Sequence, residues 1–269
     1  MIHIRRNTVL SAAILGLTIW LGGCSADLLP QTAKLSQEAS TAGSAYPSIS
    51  ADTKEEMPNP FGDPHAKPSG GREVIDQPTK ADILAVGPLP EMSWGNANAP
   101  VTIVKYASLT CQHCKRFHAE TFPELKRAYI DTGKVRFILR EFPIGRTSGM
   151  ATIALRCAPP DKYLELYGKF LNQQTAWVSQ EVRLDPIFAV AQQVGMTRAQ
   201  FDACRENQGM IEGLKWIKDR GRKLGIIGTP NFFVGDKLVK SVLTMAEIRA
   251  LVEPQLQSGS PASAAVQPQ

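Results

Sequence analysis

The chain has 269 residues, 43% of them hydrophobic, with a formal net charge of +5 and five cysteines. That length and composition suit one sizeable folded domain with appendages, or two small ones. The charge includes no dense basic run, so nucleic-acid binding is not indicated.

The first 23 residues read as a secretory signal. Arg5 and Arg6 precede an apolar stretch from Val9 to Leu21, which is too short to span a bilayer comfortably and ends in small residues. Leu21-Gly22-Gly23-Cys24 looks like a bacterial lipobox, in which cleavage leaves Cys24 as the acylated N-terminus. An ordinary signal peptide with a coincidental cysteine is the alternative. Ser25 is not the aspartate that resembles an inner-membrane retention signal, which leaves outer-membrane sorting open. Residues 24–81 turn to Ser, Thr, Ala, Pro, Gly and charge, with few large apolar side chains, and read as a disordered tether. Residues 257–269 read as a disordered tail for the same reason, and His65 in the tether is given no role.

The folded part divides into 82–147, 148–223 and 224–256. Trp94 to Pro100 reads as loop, and Val101 to Ser108 as a buried strand rich in β-branched residues. Cys114 to Tyr129 reads as a helix, with Phe117, Phe122, Leu125 and Tyr129 recurring on one side, and Val135 to Phe142 as a second strand. Residues 148–223 read as helix almost throughout. Gly228-Thr229-Pro230 leads into a hairpin of Asn231 to Val234 and Leu238 to Val242 about a Gly235-Asp236 turn. Thr244 caps a last helix through Leu256. The expected fold is α/β, a small sheet with a helical domain inserted in its middle.

The chemistry centres on Cys111-Gln112-His113-Cys114, where the first strand hands over to the helix. Two cysteines three apart at a helix start lie on one face and can close a disulfide without rearranging the backbone. The first sulfur sits near the unpaired N–H groups and positive end of the helix, which favours thiolate over thiol. His113 can donate a hydrogen bond to that thiolate or add positive charge nearby. These features describe a redox-active dithiol.

Together with the helical insert and the later Thr229-Pro230, this motif resembles the DsbA family of thioredoxin-fold disulfide oxidoreductases, over about Met92 to Leu256. The resemblance implies a thioredoxin-like fold and a cis peptide bond at Thr229-Pro230 facing the dithiol. A cis proline there leaves the backbone of Thr229 free to pair with an extended substrate strand. Cys111 becomes the exposed sulfur attacked by a substrate thiol, and Cys114 the resolving partner. The expected activity is donation of the Cys111–Cys114 disulfide to reduced exported proteins, in a periplasm-facing, lipid-anchored monomer of the bacterial cell envelope. A quinone-linked membrane thiol oxidase would recycle it, and no cofactor is expected.

One position departs from the pattern. Six residues before the first cysteine, thioredoxin-fold enzymes commonly carry a buried acid, and this chain has Lys105. Two readings stand: a charged Lys105 makes the couple more oxidising, or its ammonium reaches the surface and does nothing, the reading preferred on sequence alone.

Setting aside Cys24 and the active pair leaves Cys157 and Cys204, an even remainder that suggests a structural disulfide between two helices. Two free buried cysteines are the alternative. Cys111, Cys114 and His118 have ligand-like spacing, but nothing nearby completes a metal site, and His118 is expected to be exposed or lightly packed. An isomerase or reductase of the same fold, and a non-catalytic envelope lipoprotein binding module, remain as alternative functions.

Overall fold

A computed structural model describes residues 74–258, so the signal, the Cys24 lipobox, most of the tether and most of the C-terminal tail lie outside the described residues, while residues 257 and 258 end the last helix, Met245–Ser258. The sheet has five strands in the order β1-β3-β2-β4-β5. They are β1 (Met92–Trp94), β2 (Val101–Ala107), β3 (Val135–Glu141), β4 (Asn231–Val234) and β5 (Lys237–Val239). β2 and β3 are parallel, Val101 opposite Val135 and Ala107 opposite Glu141, while the other three pairings are antiparallel.

Both central strands are apolar along most of their length because both faces of the sheet are covered. Alternation along β2 sends Val101, Ile103 and Ala107 into the larger core cluster and Val104 and Tyr106 into the smaller one. The larger cluster holds the helix that follows β2; Ile83, Leu224 and Ile226 back the other face. Lys105 keeps the same period as Ile103 and Ala107. Its side chain therefore enters the side of the sheet that carries the dithiol.

The helix after β2 runs through 112–130 with two wide turns, at Phe117–Thr121 and Lys126–Ile130. In the first, the N–H of Phe122 bonds the carbonyl of Phe117. Pro123 follows at once and has no N–H to return to the preceding turn, which explains the local loosening. Its buried face presents Phe117, Phe122, Leu125 and Tyr129, the residues that the periodicity selects.

Between β3 and β4 the chain forms helices Gly145–Arg156, Tyr163–Asn172, Gln174–Trp177, Leu184–Ala191, Arg198–Arg205 and Gln208–Lys223. They pack around Ile153, Tyr163, Phe170, Trp177, Ile187 and Phe201. Trp177 satisfies its indole N–H on the carbonyl of Phe170 at 2.8 Å. Cys157 and Cys204 are joined by a disulfide with Cα atoms 6.2 Å apart, tying the first of these helices to the fifth. The sheet with an inserted helical domain is the architecture that the sequence implies.

Three local readings differ. The tether does not extend to residue 81: Ile75 packs against the smaller core cluster and Thr79 caps a helix from Lys80 to Leu84. Trp94 closes strand β1 instead of opening a loop, its strand pairing with Phe137 of β3. The second hairpin strand stops at Val239, short of Val242. The hairpin turn itself falls at Gly235-Asp236, and Gly235 supplies the positive φ of 63°. Thr244 accepts from the N–H of Glu247, as an N-cap should. Among the described residues, no helix is long and apolar enough to cross a membrane.

Candidate active site

Cys111 is the N-cap of the helix and accepts the N–H of Cys114 on its sulfur at 3.4 Å. Cys114, one turn on, is fully buried, whereas Cys111 is half-exposed. The Thr229-Pro230 peptide bond is cis. It places the carbonyl of Thr229 3.1 Å from the Cys111 sulfur, which donates to it as a thiol. The Thr229 hydroxyl is buried without a hydrogen-bond partner of its own.

These surroundings split the two sulfurs electrostatically. Cys111 is lowered from 9.0 to about 5, above all by a hydrogen bond from the side chain of Cys114. The backbone N–H groups of Cys114 and His113 add to this, against the opposing effect of burial. Cys114 is pushed well above 9.0, first by burial and next by its hydrogen bond to Cys111. One sulfur is thus a stable thiolate and leaving group, and the other a protonated thiol.

His113 contributes through its backbone. Its imidazole is exposed and makes no hydrogen bond to the sulfur.

Lys105 overturns the surface expectation. It is 1% exposed, with its ammonium donating to the Tyr167 hydroxyl at 3.3 Å and lying 4.3 Å from the centroid of Phe117. A lysine on a central strand escapes to water only if no helix covers that face. Here helix Tyr163–Asn172, some 60 residues later, closes over it. The approach is tight at Gly168, where a Cβ would come within 2.9 Å of the His118 ring. His118 is accordingly packed, stacked on Phe122 and edge-on to Tyr167. Burial, and then the charge of Lys105, lowers it to about 4. It is a neutral ring at physiological pH and adds no charge to the site. No group of three or more His, Cys, Asp or Glu among the described residues could hold a metal ion.

The sequence reading missed Gln174. Its amide donates to the carbonyls of Leu109 at 2.7 Å and Cys111 at 3.3 Å, clasping the insert to the active-site turn. A glutamine ahead of Thr-Ala-Trp looks like a surface residue, and nothing in the local pattern marks it as buried. Tyr167 falls within the 148–223 run that reads as helix, but its hydroxyl contact to Lys105 depends on tertiary packing alone.

A sheet of this order, with a dithiol at the helix start facing a cis proline, defines a thioredoxin-fold dithiol protein. A family model described as "Thioredoxin" matches residues 89–254, and the chain belongs to that family, in its DsbA branch. The "Putative protein-disulfide oxidoreductase" of Rickettsia conorii is 31% identical over 149 residues, covering 54% of this chain and 53% of the relative. The match therefore spans about half the length of that relative. Disulfide bond formation protein D of Bacillus subtilis is 24% identical over 170 residues, 61% of this chain and 76% of that protein. The crystal structure of Wolbachia pipientis alpha-DsbA1 superposes with a TM-score of 0.60 at 26% identity, covering 66% of this chain and 96% of that one.

Proposed function

We propose that this protein is a thiol:disulfide oxidoreductase of the bacterial cell envelope that donates the Cys111–Cys114 disulfide to reduced exported proteins. The observation that carries the reading is the asymmetry of the pair: a half-exposed Cys111 whose thiolate is strongly favoured, above a buried Cys114 whose thiolate is not. A substrate thiolate attacks the Cys111 sulfur, the disulfide breaks towards Cys114, and a mixed disulfide forms at Cys111. A second substrate thiol then displaces Cys111, which departs readily because its thiolate is stable. Stabilising that thiolate stabilises the reduced state and makes the disulfide oxidising. Thr229-Pro230 presents its backbone to an extended substrate segment, and His113 and Lys105 tune the couple.

The lipobox motif at Cys24 supports a lipid anchor facing the periplasm, with the stretch between Cys24 and residue 74 as the tether. Reoxidation falls to a quinone-linked membrane thiol oxidase, and the protein works as a monomer. The test is to load Cys111 of the full chain carrying Cys24→Ser and Cys114→Ala with glutathione and mix it with a reduced, unfolded exported protein that has a single thiol. Release of glutathione, with the substrate left as a mixed disulfide on Cys111, is expected. No adduct at Cys111 would overturn the assignment of that sulfur.

A further inference from the structure

Four segments build the mouth of the site, and none of them carries an acid. They are 108–118 around the dithiol, 142–150 entering the insert, 172–180 around Gln174, and 224–235 around the cis proline. Hydrogen bonds hold the last three against the active-site turn. The Ile144 N–H bonds the Ser108 hydroxyl at 3.2 Å, Gln174 donates to the Cys111 carbonyl, and Thr229 reaches the Cys111 sulfur.

Two kinds of side chain line this mouth. Ile144, Val178 and Ile227 are 48%, 37% and 72% exposed, three of the five large hydrophobic side chains left exposed among the described residues. The others are cations. Lys115 stands one turn beyond Cys111, its N–H bonded to the Cys111 carbonyl at 3.1 Å, and Arg116 follows it, exposed. Helical side chains lean back toward the helix start, so both cations reach toward the dithiol end.

Surface cations elsewhere in this fold come with an acid close by. Lys126 pairs with Asp131, Lys162 with Glu165, Arg198 with Asp202, Lys215 with Glu212 and Arg222 with Asp219. Lys115 and Arg116 take part in no ion pair among the described residues. The acids that border the four segments do not offset them. Glu141 is buried against Arg156, Asp236 lies in the hairpin turn at the other end of the sheet, and Glu120 is a turn further along the helix. Glu181 lies three residues past Val178.

We propose that this acid-free, cationic rim selects among thiol substrates, favouring a cysteine flanked by Asp or Glu over one flanked by Lys or Arg. The substrate class is an acidic, cysteine-bearing segment of an unfolded protein, and Lys115 and Arg116 read its charge. This deepens the function proposed above and rests on it for the thiol–disulfide chemistry. An extended segment laid along the Thr229 backbone puts its cysteine on Cys111 and a flanking residue over the start of the helix. In water, two unit charges about 7 Å apart change an equilibrium by about 3-fold. Two cations acting on a change from Lys to Asp therefore give about 10-fold once salt has screened them.

The test uses dithiol peptides that differ only in the residue beside the first cysteine, which is Asp, Asn or Lys. Each is mixed with the oxidised full chain carrying Cys24→Ser. A peptide thiolate attacks the Cys111 sulfur, the S–S pair leaves on Cys114, and the second peptide thiol displaces Cys111. The peptide loses two electrons and two protons. The electrons reduce the protein's disulfide, one proton ends on Cys114 and the other goes to solvent. Rates are taken per peptide thiolate and divided by the same peptide's rate with neutral hydroxyethyl disulfide, which removes the intrinsic effect of the flanking charge.

At about 20 mM salt Asp should lead Lys by about 10-fold with Asn between them, and at about 0.5 M the ratio should fall below about 3. Lys115→Gln with Arg116→Gln should bring the low-salt ratio close to unity. An equal or reversed ranking in the unsubstituted chain would overturn the proposal. So would a preference that neither salt nor the double variant reduces. A chain that only reduces is tested with the corresponding disulfide peptides, which pass through the same mixed disulfide and should give the same ranking. Failure of the donor reading and failure of the charge preference are thus read separately, and exchange with no peptide in either direction would overturn both.

Discussion

The sulfur of Cys111 lies 3.1 Å from the carbonyl oxygen of Thr229, 118 residues further along the chain. Each side of this contact is held independently. Gln174 fixes the turn that carries Cys111, and the Asn231 side chain bonds the carbonyl of Gly228 just before Thr229. When Cys111 ionises, its S–H bond to Thr229 is surrendered. The carbonyl is then free for a substrate N–H at the position where the sulfur reacts.

The reduced chain should show a thiolate titrating near pH 5 at Cys111, read by ultraviolet absorbance or by alkylation rate, while Cys114 remains a thiol through neutral pH. The folded value lies below the ordinary 9.0. The Cys111 thiolate therefore stabilises the reduced fold fully above 9.0, and this stabilisation is lost as pH falls through about 5. Melting of the reduced chain relative to Cys111→Ser should follow that sign. A Cys111 midpoint near the free-thiol value of about 8.5 would contradict the site's electrostatics.

Gln174→Leu should destabilise the fold by about 1–3 kcal/mol, because the buried carbonyl of Leu109 loses its donor and that of Cys111 keeps only the N–H of Lys115. Urea unfolding gives the magnitude. Hydrogen exchange should show the loss concentrated at the amides around Cys111 and Cys114, and an even spread over the insert would argue against a clasp.

Glu141 sits at the end of β3, where Arg156 approaches to 2.9 Å and Tyr163 donates at 2.7 Å, all nearly inaccessible to water. Glu141→Leu strands the guanidinium and should cost about 3–5 kcal/mol. Adding Arg156→Leu should recover much of that. A double variant no better than the single would mean that the pair is not the source of the loss.

Removing the disulfide by Cys157→Ser with Cys204→Ser should lower stability by roughly 3–4 kcal/mol from the loop-closure entropy of a 47-residue separation. The thiolate titration of Cys111 should not move, because the bridge lies within the insert beside Met210. Intact mass with and without reductant checks the pairing.

Much of this was legible in the sequence, for identifiable reasons. Val101 to Ala107 and Val135 to Glu141 are buried on both faces, and their predominance of apolar residues gives them away. Cys111, Cys114 and Thr229-Pro230 carry local signatures. β1 was hidden because three residues are too few to show alternation. Lys105 and Gln174 were hidden for a different reason. Both are polar residues whose burial is decided by elements far away in sequence, and linear patterning records period, not cover. The interior of the site was therefore the part that only the assembled fold could reveal.

The central claim is best tested by the equilibrium reduction potential of Cys111–Cys114 against glutathione, using the full chain with Cys24→Ser. We expect a couple more oxidising than glutathione, so that the pair stays largely dithiol until oxidised glutathione is in strong excess. A couple more reducing than glutathione, readily oxidised by it, would contradict the disulfide-donor assignment and make the protein a reductase.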